Sequence, residues 1–235
     1  MIVRCVWEHN GDDTLLYAQD YCGAFARGET KETALSKMPA EIISYLKWCN
    51  KPVSEIIVPE IVQEFSSNLI IADADTDVIF DTEKLLLTAD KYLELKALVL
   101  KSAEDFQKLY DSIPNKNKST LPIRKTFYGD VPRTAYEMYE HTKNVNDYYF
   151  GEIGIAADNN GTIYECRRRG FEQLERTDDY LNNAVLNGSY NEQWSLSKML
   201  RRFLWHDRIH AKAMYRMAIK TFGENFVENV FGFDC

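Results

Sequence analysis

Two histidines four residues apart, His206 and His210, stand inside the run FLWHDRIHAKAMYRM, Phe203 to Met217. At helical phasing, Leu196, Met199, Met214 and Met217 fall within about 40° of Phe203, and both histidines fall on that apolar arc, about 40° apart. Arg201, Arg208, Lys212 and Arg216 lie on the opposite side. Imidazoles at i and i+4 share one face and can hold a single ion at the ~2.0–2.1 Å that zinc prefers, with a third ligand needed from elsewhere. The chain has 4 histidines. His9 sits next to a predicted turn. His141 lies in a predicted helix, in line with Thr134, Met138, Val145, Tyr148 and Glu152, and so faces inward. Buried imidazoles need partners: a shared metal ion, or carbonyls and carboxylates of a core. Helix-bundle cores are places where such metal sites are built.

The elements that must position these rings are legible in outline. The chain has 235 residues, 45% hydrophobic and 27% charged, the composition of a globular protein with ample core. No apolar run approaches the ~18 residues of a membrane span, and the amino terminus lacks a signal-like stretch, so a cytoplasmic protein is expected. The 5 cysteines are scattered and never form a C-x-x-C pair, which implies reduced thiols. Net charge is −8, and residues 1–80 hold 13 Asp/Glu against 6 Lys/Arg. That acidic half disfavours nucleic acid as a partner and suggests a boundary near residue 80.

IVRCVWEH and TLLYAQDYCGAFARG read as strands around an Asn-Gly turn. ETKETALSKMPAEIISYLKWC switches to helical spacing, with Pro39 as a kink or break. SEIIVPEIVQEFSS is extended, and Ala72–Asp81 is a linker or closing edge segment. Helices are then expected over 82–113, 133–153, 170–188 and 195–223, with Thr134 and Glu137 at capping-box spacing and glycines closing the last two. The expected class is α+β: a small ββα-type module (1–80), then an up-down four-helix bundle (82–235). Trp205 projects from the polar side of the last helix, which suggests a contact with the amino-terminal module or a second subunit.

The stretches MYEHTKNVNDYYF and WSLSKMLRRFLWHDRIHAKAM resemble the DinB-like (YfiT-like) metal-binding four-helix bundle family over about residues 82–223. The resemblance implies one divalent ion, commonly zinc or nickel, on His141, His206 and His210. It also implies, for some members, transfer of low-molecular-weight thiols to or from electrophiles. A Gly-Gln pair often follows the second late histidine in that family, whereas here Ala211-Lys212-Ala213 follows His210, a departure that keeps the metal ligands but changes the family's usual surroundings and puts a shared substrate in doubt. YAQDYCGAFARGETKETALSKMPAEI resembles the small HicB-like fold, with Asp20-Tyr21-Cys22-Gly23 in place of the usual proline-containing turn.

Three neutral imidazoles leave an ion its full charge and an open position, where a bound water can fall to a pKa of ~7 and a thiol loses its proton. Thiol transfer and hydrolysis both follow from such a centre. Tyr148 is a candidate donor to an oxyanion, or a core tyrosine. Asp207 is a candidate partner for an imidazole N–H, or a surface residue. Arg167, Arg168 and Arg169, in the predicted loop before the third helix, are candidates for holding an anionic thiol, or a solvated run. Cys166 beside them would have a lowered pKa if exposed. The residues point to a metal-dependent thiol transferase or hydrolase acting on a small molecule. The alternative is a non-catalytic, stress-related or interaction protein with a structural metal. Its acidic amino-terminal module would then serve a protein partner or a homodimer.

Overall fold

In the computed structural model, which describes residues 1–11, 13–53, 56–73, 75–126 and 129–234, β-branched and aromatic runs at the amino terminus form a sheet. Strand β1 (Ile2–Asn10) pairs antiparallel with β2 (Asp13–Ala18), from Cys5 opposite Ala18 to Asn10 opposite Asp13. Gly11 between them has φ +60°, a conformation that glycine reaches without strain. The next strand, β3 (Phe25–Gly28), pairs antiparallel with β2. The chain then enters helix α1 (Lys31–Trp48), capped by the Thr30 hydroxyl. Pro39 neither ends nor splits this helix. The extended stretch around Pro59 becomes β4 (Val58–Ser66), parallel to β1 at the sheet edge, giving the order β3-β2-β1-β4. Proline is tolerated there because an edge strand need not use every N–H.

The alternation of β1 and β2 puts Val3, Cys5, Leu16 and Ala18 under α1, where they meet Ala34, Met38 and Ile42. Val6, Leu15, Tyr17 and Phe25 face the other way and pack on Ile71, Val78, Phe80 and Trp205. The acidic stretch expected as a linker therefore covers a sheet face. Buried Glu8 fixes it there. Its carboxylate accepts from Tyr17 Oη at 3.0 Å, Asp77 N at 3.1 Å and Thr76 Oγ1. Glu8→Gln would turn an amide toward these donors and is expected to cost about 2–3 kcal/mol, the scale of a lost bond to a charged acceptor. Urea unfolding checks this: a midpoint equal to that of the wild type would show that Glu8 does not hold the segment.

A one-turn 3-10 helix at Asp81–Lys84 delays helix α2, which runs Ala89–Ser112 from a Thr88 cap rather than from residue 82. The helix expected over 133–153 is two, α3 (Ala135–Lys143) and α4 (Asn146–Glu152). Asn159 fills the break, donating to Asn144 O at 3.3 Å and accepting from Asp147 N at 3.0 Å. The next, α5, spans Ile163–Leu174 and not 170–188. Thr162 and Glu165 form its capping box, and Gly170 is interior, where a β-carbon would stand 2.1 Å from the Phe150 ring. The last, α6 (Leu196–Phe222), starts from a Ser195 cap and stops at Gly223 as its periodicity predicts. Two short ribbons complete the chain, β5 (Lys125–Thr126) with β6 (Gly129–Asp130) and β7 (Leu186–Asn187) with β8 (Gln193–Trp194).

The structure is thus of mixed α+β type. Helices α2 to α6 pack on one another, and their core runs without a gap into the α1 face of the sheet. The basic side of α6 is buried as well over Lys198–Arg208, while Lys212 is half-buried and Arg216 exposed. Arg208 bonds Glu41 at 2.7 Å, Arg201 bonds Glu83 and Val78 O, and Lys198 bonds Asp77 O at 2.8 Å. Trp205 is buried against the sheet, so of the two contacts its position suggests, the one with the amino-terminal part is realised. Among the described residues no helix is long and apolar enough to cross a membrane.

Candidate metal centre

Helix α6 presents His206 and His210 one turn apart, their ring centroids 4.4 Å from each other. The last turn of α3 brings His141 to face both, at 5.1 Å from His206 and 4.6 Å from His210. One nitrogen from each ring lies within 4.8 Å of the other two. Tetrahedral bonds of ~2.1 Å would set such nitrogens ~3.4 Å apart, a closure on the order of an ångström. The surroundings favour a cation. His206 is buried and its Nδ1 has no hydrogen-bond partner, an uncompensated desolvation that coordination would relieve. Burial holds all three rings toward the neutral form that ligates: it lowers the His141 pKa, depresses His206 strongly with help from its neighbours' charges, and takes His210 down to about 3. Three nitrogen donors without a carboxylate suit zinc, nickel, copper or iron rather than magnesium or calcium. The residues therefore fit a transition-metal ion.

The cluster borders a cavity of about 620 Å³. Its helical wall carries Met138, Tyr148, Tyr149, Arg202, Trp205 and Ile209, the amino-terminal part contributes Arg27, Asp73 and Asp75–Asp77, and the loops between helices contribute Arg124, Asp130 and Glu192. His141 is accessible because it opens onto this space. Tyr149 turns its ring edge-on to His206 at 5.9 Å. The Asp73–Arg124 ion pair ties the amino-terminal side of the cavity to the loop before α3.

Of the residues singled out from the sequence, Tyr148 lies in α4 on this cavity, and burial raises its pKa, which keeps the phenol a donor. Asp207 is elsewhere. Both its oxygens accept from Arg167, at 2.9 and 2.7 Å, and neither side chain has any exposed surface. Arg168 pairs with Glu172, and Arg169 with Asp158 at 2.6 Å. All three arginines belong to α5, not to a loop, and none borders the cavity. Cys166 is buried, its Sγ donating to Asn160 O at 3.0 Å, and desolvation raises its pKa. His9 is in β1, stacked on Trp7 and 3.1 Å from Glu64. Arg202 is on the cavity wall but not among the residues that sequence reasoning singles out. Its signal is there all the same, since Arg202, His206 and His210 recur at four-residue steps and so share one face.

Compared with protein-family models, with curated proteins and with solved structures, the chain matches none.

Proposed function

We propose that the chain is a DinB-like metalloprotein whose helical part is a four-helix bundle, with α3 and α4 together as one member. It holds one zinc or nickel ion on His141, His206 and His210 and acts on a small molecule as a thiol transferase or hydrolase. The observation that carries this is the convergence of three imidazoles from two helices on the wall of a cavity large enough for a substrate. Structural metal sites are usually closed by four protein ligands, whereas catalytic ones keep a position open, and three histidines bordering a cavity favour the second kind. The strand, glycine turn and helix of residues 13–48 support a HicB-like relation for the amino-terminal module.

A bound ion would supply Lewis acidity, lowering the pKa of a coordinated water or thiol toward neutrality. The chain's own residues do the rest. His206 and His210 hold the ion from α6 and His141 from α3. Tyr148, protonated, offers a hydrogen bond to charge that develops on a substrate oxygen. Tyr149 and Trp205 enclose the inner wall with aromatic rings, and the low dielectric there strengthens every charge interaction beside them.

The test is metal analysis of the purified full chain, followed by turnover assays of the loaded protein. About one equivalent of zinc or nickel is expected, with activity on thiol–electrophile pairs or on esters and amides. A protein that takes up neither metal at stoichiometric supply would rule out the metal centre. A loaded protein silent across both substrate panels would leave the metal in a structural role.

A further inference from the structure

The cavity has a second chemical feature one turn along α6 from His206. Arg202 borders it while more than nine-tenths buried. The guanidinium lies among three aromatic rings, 5.4 Å from Tyr149, 5.4 Å from Trp194 and 5.3 Å from Trp205. Nη1 donates to Thr76 O at 2.7 Å, and Nε has no partner. The other buried arginines each close on a carboxylate: Arg167 on Asp207, Arg201 on Glu83, Arg208 on Glu41. Arg202 is paired only loosely. The Glu192 oxygen 3.9 Å from it also borders the cavity and lies closer to Lys198 Nζ, at 2.8 Å. A desolvated cation with so distant and shared an anion is under-compensated, and here it opens onto space that also holds the three imidazoles. Two more donors border that space. The Trp205 indole N–H is buried without a partner, and the Tyr148 phenol remains protonated.

We propose that Arg202 is the anion subsite of this cavity, taking the carboxylate of a small organic acid whose other end lies over the three histidines. This rests on the metal centre proposed above, because the ion fixes the second end. The Tyr149 ring lies against both ends, 5.4 Å from the Arg202 guanidinium and 5.9 Å from the His206 ring, so the fitting class is a short acid with a metal-binding atom two or three carbons from its carboxylate. Arginine suits the role since its planar fork meets a carboxylate with two parallel hydrogen bonds.

The full chain loaded with cobalt(II) would be titrated with 3-mercaptopropionate and with its neutral amide, following the sulfur-to-cobalt absorption band. The acid is expected to bind about 10–100-fold more tightly than the amide, the scale of a charge-assisted bidentate contact. Arg202→Gln should erase that preference with cobalt still stoichiometric, and Arg202→Lys should restore part of it. Equal affinities for acid and amide in the wild-type protein would overturn the subsite and leave the metal centre standing. A preference that survives Arg202→Gln would overturn it equally. Should that variant not fold, the wild-type acid-to-amide ratio decides. Failure to take up cobalt, zinc or nickel would overturn the metal centre, and the bridging acid with it.

Discussion

Zinc or nickel affinity is expected to fall at least ~100-fold in His206→Ala, on the basis that each ligand of a four-ligand zinc site contributes roughly 3–4 kcal/mol. His206 is the most enclosed of the three rings. Its loss leaves His210 and His141 to hold the ion from two different helices, without the i,i+4 pair that fixes the geometry. The fold should survive, because the ring sits on a cavity wall and its Nδ1 already lacks a partner. Competition against a chromophoric chelator measures the affinity, and thermal unfolding adds an independent check. Metal raises the midpoint only of a protein whose native state binds it. The wild-type midpoint should therefore climb at zinc concentrations about 100-fold lower than those that raise the midpoint of the variant. His141→Ala should behave alike, and undiminished affinity in either variant would remove that histidine from the ligand set.

The opposite signature is expected of Asp207→Ala: a large loss of stability with metal binding intact. The Arg167–Asp207 pair is fully enclosed, and its guanidinium lies 4.0 Å over the Phe203 ring. Removing one partner strands the other charge in the core, typically at a cost of about 3–5 kcal/mol. For a chain of this size that is a drop of about 10 °C in Tm. Replacing both residues with apolar ones, Arg167→Met with Asp207→Leu, should recover much of the loss, since the pair's desolvation disappears with it. Zinc affinity in Asp207→Ala should stay within a few-fold of wild type. A variant that kept its Tm and lost its metal would instead make Asp207 a support of the imidazoles, the role its place beside His206 suggests from sequence alone.

These two residues show how far the sequence reaches. His206 and His210 are legible because a helix is periodic, and the apolar residues Leu196, Phe203 and Met214 set its phase. The caps Ser195 and Gly223 also make the ends of α6 legible. Asp207 is not legible, because its partner lies 40 positions away on a helix that begins earlier than its apolar spacing predicts. The Thr162–Glu165 capping box marks that start, yet the apolar spacing after Gly170 favours a later one. Gly170 itself is a close contact with Phe150, not a boundary. The break between α3 and α4 depends on the Asn159 side chain reaching across from a later loop, which no local pattern encodes. The basic stripe of α6 reads as a solvent face for the same reason. Its carboxylates, Glu41 and Glu83, come from distant parts of the chain.

That stripe also constrains how the protein can change over time. Glu41 and Arg208 are joined across 167 positions, and Lys198 grips the backbone at Asp77, as Arg202 on the histidine face does at Thr76. A recombination that replaced the first eighty residues with an unrelated module would leave Arg208 without its anion and bare the Trp205 ring. The two halves therefore depend on each other for stability. Glu41 also pairs with Lys212, so its loss strands two cations at once. The histidine face of α6 is in this way held in place by a sheet that contributes none of the three histidines.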